Sequence, residues 1–148
     1  MKLTKNFTLR ELTKTSQKFD NTPNDEALQN LIKTAVQMEA VRALLGHNPV
    51  IVFSGFRSVR VNKAVGGSST GAHLSGEAVD FDCPGFGNTT QVCHAIANSD
   101  IPFDQLIWEE SASGALWVHI GFRHNGKPRR QVMTKRPGKP YVNGLPAL

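Results

Sequence analysis

With 148 residues, 39% of them hydrophobic and 20% charged, the chain has the size and composition of one ordinary folded domain. No run of ~18 apolar residues reads as a membrane span, and 2 cysteines are too few for a disulfide framework or a thiolate zinc site. The formal net charge of +5 is unevenly spread. Every Asp and Glu lies at or before Glu110, and Arg123, Lys127, Arg129, Arg130, Lys135, Arg136 and Lys139 follow it. Such a tail attracts polyanions such as an acidic cell-wall polymer. No aromatic residue interleaves with these charges to stack bases, so no specific nucleic-acid partner is expected.

In chain order, Met1–Asn6 is polar and lacks the apolar core of a signal peptide, so synthesis in a cytoplasm is expected. Thr8-Leu9-Arg10-Glu11 has the form of a capping box and opens a short helix. Asn21–Asn24 breaks the chain. Residues 25–45 carry Leu28, Leu31, Ile32, Ala35, Met38, Val41, Leu44 and Leu45 at helical spacing, with Gly46 as the stop. Val50–Phe53 reads as a buried strand, and a small helix follows over 61–65. Residues 66–76 are a Gly/Ser/Thr-rich loop containing His73. Strands are predicted over 78–82, 105–109, 116–122 and 130–134, with a helix over 89–98. No repeat or linker is visible, so residues 1–148 are expected to form a single α+β domain, and a monomer.

Alternation along strands places the chemistry. In 78–82, Val79 and Phe81 share one face and Ala78, Asp80 and Asp82 the other. In 117–122, Val118, Ile120 and Phe122 face one way and Trp117, His119 and Gly121 the other. If the two strands are neighbours, Asp80 and His119 look out of one surface, and a turn at Gly76 lets His73 hang over it. Three protein ligands with an open fourth position are what a catalytic zinc requires. Singly, a histidine or aspartate on a strand is usually only hydrogen-bonded, and His47, His94 and His124 are read so. The case for His73, Asp80 and His119 rests on their joint placement.

These residues carry a resemblance. Ser54-Gly55-Phe56-Arg57-Ser58, Asn62–Gly67, His73-x-x-Gly76-x-Ala78-x-Asp80 and Trp117-Val118-His119 resemble the zinc D-alanyl-D-alanine carboxypeptidase family, which also includes phage endolysins. The likeness runs along nearly the whole chain. It implies a hedgehog/DD-peptidase fold: a small antiparallel sheet carrying one Zn2+ and flanked by helices. His73, Asp80 and His119 would be the ligands and peptidoglycan stem peptides or cross-links the substrate. Two positions depart from the family pattern. Gly71 stands where a serine is common, and Leu116 where many members carry an acid.

The second departure sends the search for a general base elsewhere. Glu109 ends the strand that should pair with 115–122 through a hairpin. A turn over about 110–114 sets Glu109 opposite Ala115 and Gln105 opposite His119, with odd-numbered residues on the zinc side. A one-residue slip favours Glu110 instead. The resemblance assigns Arg57 to the site, for a substrate carboxylate or the oxyanion. The alternative for Arg57 is a structural ion pair, with Asp82 as the candidate partner. Asp82 is read as either a partner to a ligand or a surface residue, and Trp117 as either a cleft wall or a packing residue. Glu77 is expected to face away from the metal.

The combined reading is a zinc-dependent, endolysin-like peptidase of the cell wall, acting after release or from a virion. Endopeptidase and D,D-carboxypeptidase action are left open. The rivals are a non-catalytic zinc-binding module of a phage particle or wall-binding protein, and a basic nucleic-acid binder.

Overall fold

The computed structural model describes residues 1–68 and 71–148; Ser69 and Thr70, in the predicted 66–76 loop, lie outside the described residues. The elements are α1 (Leu9–Thr13), α2 (Asp25–Leu44), β1 (Ile51–Ser54), α3 (Val59–Ala64), a 3-10 turn (Ala72–Ser75), β2 (Ala78–Asp82), α4 (Thr89–Ala97), β3 (Gln105–Glu110), β4 (Leu116–Gly121), β5 (Gln131–Lys135) and β6 (Val142–Asn143). The α+β class and the flanking helices are as expected. The sheet has six strands in the order β1-β2-β4-β3-β5-β6. Its pairings are antiparallel except β3–β5, which is parallel.

Local chemistry sets the helix starts. Thr8 and Glu11 form the capping box that opens α1. Asn24 caps α2 through the Ala27 N–H, and Asn88 with Gln91 makes a second capping box on α4. Gly46, at φ +76°, stops the chain after α2.

The alternation of β2 and β4 builds the core. Val79, Phe81, Val118 and Ile120 are fully buried and join Leu31, Met38 and Val41 of α2 and Val92 and Ile96 of α4 in one cluster. Each such side chain contributes about 1.5–3 kcal/mol of burial. Cys83 and Cys93 are free and buried in it. Burial pushes the Cys93 thiol up to about 12.

One strand departs from expectation. β1 is an edge strand whose Ile51 and Phe53 are exposed while Val52 packs inward. An apolar run of that length cannot by itself distinguish an edge from a centre. The two-residue β6 carries no sequence signal of its own.

Helix α2 also holds the loop that carries His73. Thr34 Oγ1 donates to the Gly76 carbonyl at 2.7 Å and Asn30 Nδ2 to the Ser75 carbonyl at 3.0 Å. Gly76 sits at φ +76°, and a Cβ there would lie 2.6 Å from the Ala27 carbonyl oxygen. Only glycine permits both that conformation and that approach. No described helix is long and apolar enough to cross a membrane.

Candidate metal centre

Strands β2 and β4 pair with Asp80 directly opposite His119. Their core-facing neighbours oblige both polar side chains onto the opposite face. His73 comes over that face from the 3-10 turn. Its Nδ1 lies 2.7 Å from the Gly55 carbonyl. A carbonyl can only accept, so Nδ1 is the donor in this contact and Nε2 is the nitrogen turned toward the site. Nε2 faces Asp80 Oδ2 at 3.3 Å. The other oxygen, Oδ1, lies 2.9 Å from His119 Nδ1. The two imidazole rings meet edge to face, with centroids 5.1 Å apart.

One ligand atom from each of His73, Asp80 and His119 lies within 4.8 Å of the others, and all three atoms are buried or nearly so. Two imidazole nitrogens and a carboxylate turned toward one space suit a divalent ion of intermediate softness. The Gly55 carbonyl holds one ring in the tautomer that a metal needs.

Electrostatics tie the group together. Burial alone would push the Asp80 carboxyl up, but the charges and hydrogen bonds of His73 and His119 outweigh it and hold it well below the usual carboxylate range. Burial opposes protonation of His119, yet the Asp80 hydrogen bond and charge, with Glu109 behind them, raise its pKa.

Glu109 stands on the same face. The hairpin pairs Glu109 with Trp117, Ile107 with His119 and Gln105 with Gly121. The register is therefore two residues from the expected one. A two-residue shift preserves parity, so the predicted face is right although the partners are not. Glu109 Oε1 lies 3.8 Å from His119 Nδ1 and accepts the Trp117 indole N–H at 2.9 Å. Burial first, and the Asp80 charge with it, raise the Glu109 pKa above its ordinary value. Glu110 points elsewhere, 3.7 Å from Arg136, which in turn stacks on Trp108.

Arg57 makes a structural ion pair, but with Asp80 rather than Asp82. Its guanidinium reaches Asp80 Oδ2 at 3.1 Å, Ser54 Oγ at 3.0 Å and Asn62 Oδ1 at 3.4 Å. Asp82 instead accepts the Thr89 hydroxyl at 3.0 Å and stands apart from the three ligand atoms.

The centre opens into a cleft of about 1090 Å³. Its lining includes Ile107, Met133, Trp117 and Tyr141 around the metal-capable group, and Arg123 and Arg129. Glu77 also lines this cleft, with its carboxylate held by Ser75 Oγ and the His124 N–H rather than by a ligand residue. It precedes β2, so strand parity does not govern it. The sequence reading missed Met133, Tyr141, Arg123 and Arg129 as cleft residues. The parallel β3–β5 pairing brings the segment after β4 back to the site, and no local pattern announces it.

A model of the family described as Peptidase M15 matches residues 5–120. The chain belongs to the peptidase M15 family. Its match to the zinc D-Ala-D-Ala carboxypeptidase of Streptomyces albus G is 35% identical over 78 residues, covering 51% of this chain. That match spans 31% of the Streptomyces protein, so the chain corresponds to under a third of that curated relative. In this M15 chain β5, β6, Arg123 and Arg129 follow the matched residues.

Proposed function

We propose that this chain is a zinc-dependent peptidase that hydrolyses peptide bonds of bacterial peptidoglycan, with residues 1–148 acting as one catalytic unit. The observation that carries the reading is the convergence of His73, Asp80 and His119 within 4.8 Å beside a half-buried carboxylate, Glu109, in an open cleft. Family membership and the Streptomyces relative support it.

In this reading His73 Nε2, His119 Nδ1 and an Asp80 oxygen would hold the ion. The chemistry that zinc supplies when bound is Lewis acidity toward a peptide carbonyl and toward water. Arg57 fixes the Asp80 carboxylate, and the Gly55 carbonyl fixes the His73 ring, so the ligands are oriented before substrate arrives. Glu109 takes a proton from the attacking water and returns it to the leaving amine. Its raised proton affinity suits both transfers, and the Trp117 N–H holds its oxygen in place. The hydrogen bonds of Arg57 make it a positioning residue first, with the oxyanion as a secondary role.

In its finer form the proposal is an endolysin-like wall lysin, in keeping with the motif resemblance to phage enzymes. The deciding experiment digests purified sacculi of several wall chemotypes with zinc-loaded and with chelated protein, followed by mass spectrometry. Fragments that need the metal are expected, and their masses name the bond and separate endopeptidase from carboxypeptidase. A folded protein holding one zinc that releases no fragment from any chemotype would be a non-catalytic zinc-binding module.

A further inference from the structure

The cleft contains two kinds of arginine. Arg57 is committed to Asp80, Ser54 and Asn62. Arg123 is not. Its recorded contact is Nε to Asp104 Oδ1 at 3.5 Å, and 43% of its side chain is exposed. Asp104 Oδ1 is already taken by the Arg129 backbone N–H and by Arg129 Nε, each at 3.0 Å, while Oδ2 accepts Arg129 NH2 at 2.7 Å. The carboxylate is thus filled by Arg129, and the terminal amino groups of Arg123 have no partner among the described residues. The stem is nonetheless held, because Gly126 packs so close that a Cβ there would lie 2.9 Å from Arg123 Cδ.

Position gives this free fork a purpose. Arg123 follows His119 by four residues, at most about 13 Å of extended chain. Between them Gly121 and the Gln105–Gln131 amide pair, joined at 2.9 Å, continue the same face. A planar guanidinium fork with unused donors matches a carboxylate in two-point contact.

We propose that Arg123, seated on the Asp104–Arg129 pair, is a specificity-determining residue that binds a substrate carboxylate within a few residues of the scissile bond. This rests on the peptidase reading above, and it goes beyond it by fixing which end of the cleft receives the acidic part of the peptide. Arg123 lies beyond residues 5–120, the span matched by the family model.

The test is a binding measurement that needs no turnover. Zinc-loaded Glu109→Gln protein is titrated calorimetrically with a linear stem pentapeptide. The titration is repeated with versions in which one carboxylate at a time is replaced by a carboxamide. The same series is run with Arg123→Gln and Arg123→Lys added. One amidation should weaken binding roughly ten-fold or more, identifying the carboxylate, and that penalty should vanish in Arg123→Gln. Arg123→Lys should recover part of the affinity, because it keeps the charge without the fork. Equal penalties with and without Arg123, or no measurable binding of the free-carboxylate peptide, would overturn the proposal. Sacculus digestion by the protein carrying Glu109 decides the peptidase reading separately, so the two failures cannot be confused.

Discussion

The metal-capable end of the cleft and the basic segment after Glu110 are both dense in charged and ionisable groups, yet they are built in opposite ways. At the first, groups that prefer water are buried together, with His73 Nε2 and Asp80 Oδ2 3.3 Å apart. At the second, most cations are satisfied within the chain. Arg130 donates to the carbonyls of Ala97, Ser99 and Ile101 at the end of α4 and lies over Phe103. Lys135 holds the carbonyls of Arg136 and Lys139. Arg129 is spent on Asp104 and Arg136 on Trp108 and Glu110. A run of charge in a sequence is therefore not yet a binding surface. Ionisable groups buried side by side in a cleft are the stronger sign of function.

The comparison breaks most sharply at Asp80. In the metal-free protein Asp80→Ala leaves Arg57 and two histidines without their shared partner, and denaturant unfolding should show a loss of about 3–5 kcal/mol. Metal analysis of the same variant should show no retained zinc. Glu109→Gln should separate chemistry from metal binding. Zinc content stays near one equivalent, and hydrolysis of wall fragments falls by roughly 10²–10⁴-fold. Gly76→Ala should cost about 1–3 kcal/mol in thermal or denaturant unfolding, because it strains the backbone and forces a Cβ onto the Ala27 carbonyl.

The basic segment should respond more mildly. Hydrogen bonds from Arg129 hold the Asp104 carboxyl below its ordinary value against the pull of burial. A carboxyl depressed in the fold contributes stability that is fully present above its unfolded pKa of about 3.9 and is lost as pH falls through the folded value. Unfolding scans from pH 6 downward should therefore be less steep in Asp104→Asn. With 47% of the Arg129 side chain exposed, the difference should stay under about 1 kcal/mol. Smallest of all, Arg136→Ala should change stability by no more than about 0.5–1 kcal/mol, the worth of an exposed cation over an indole.

Much was legible in the sequence because it depends on short-range periodicity. The period-2 pattern of 78–82 and 117–122 fixes which residues enter the core, and hence that Asp80 and His119 leave by the other face. The capping residues Thr8 and Asn88 and the stop at Gly46 mark helix ends through bonds made within a few residues. The parity of Glu109 survived a two-residue error in register for the same reason, since side-chain direction repeats every second residue. The chain alone thus determined the α+β class, the core faces and the candidate ligand set. Only the tertiary structure decided what lies opposite what. It gave Arg57 to Asp80 instead of Asp82, made β1 an edge and returned β5 in parallel to β3. That return brought Met133 and, beyond it, Tyr141 to the cleft. Such pairings join residues tens of positions apart, and they are selected by packing of the whole core rather than by any local preference of the chain.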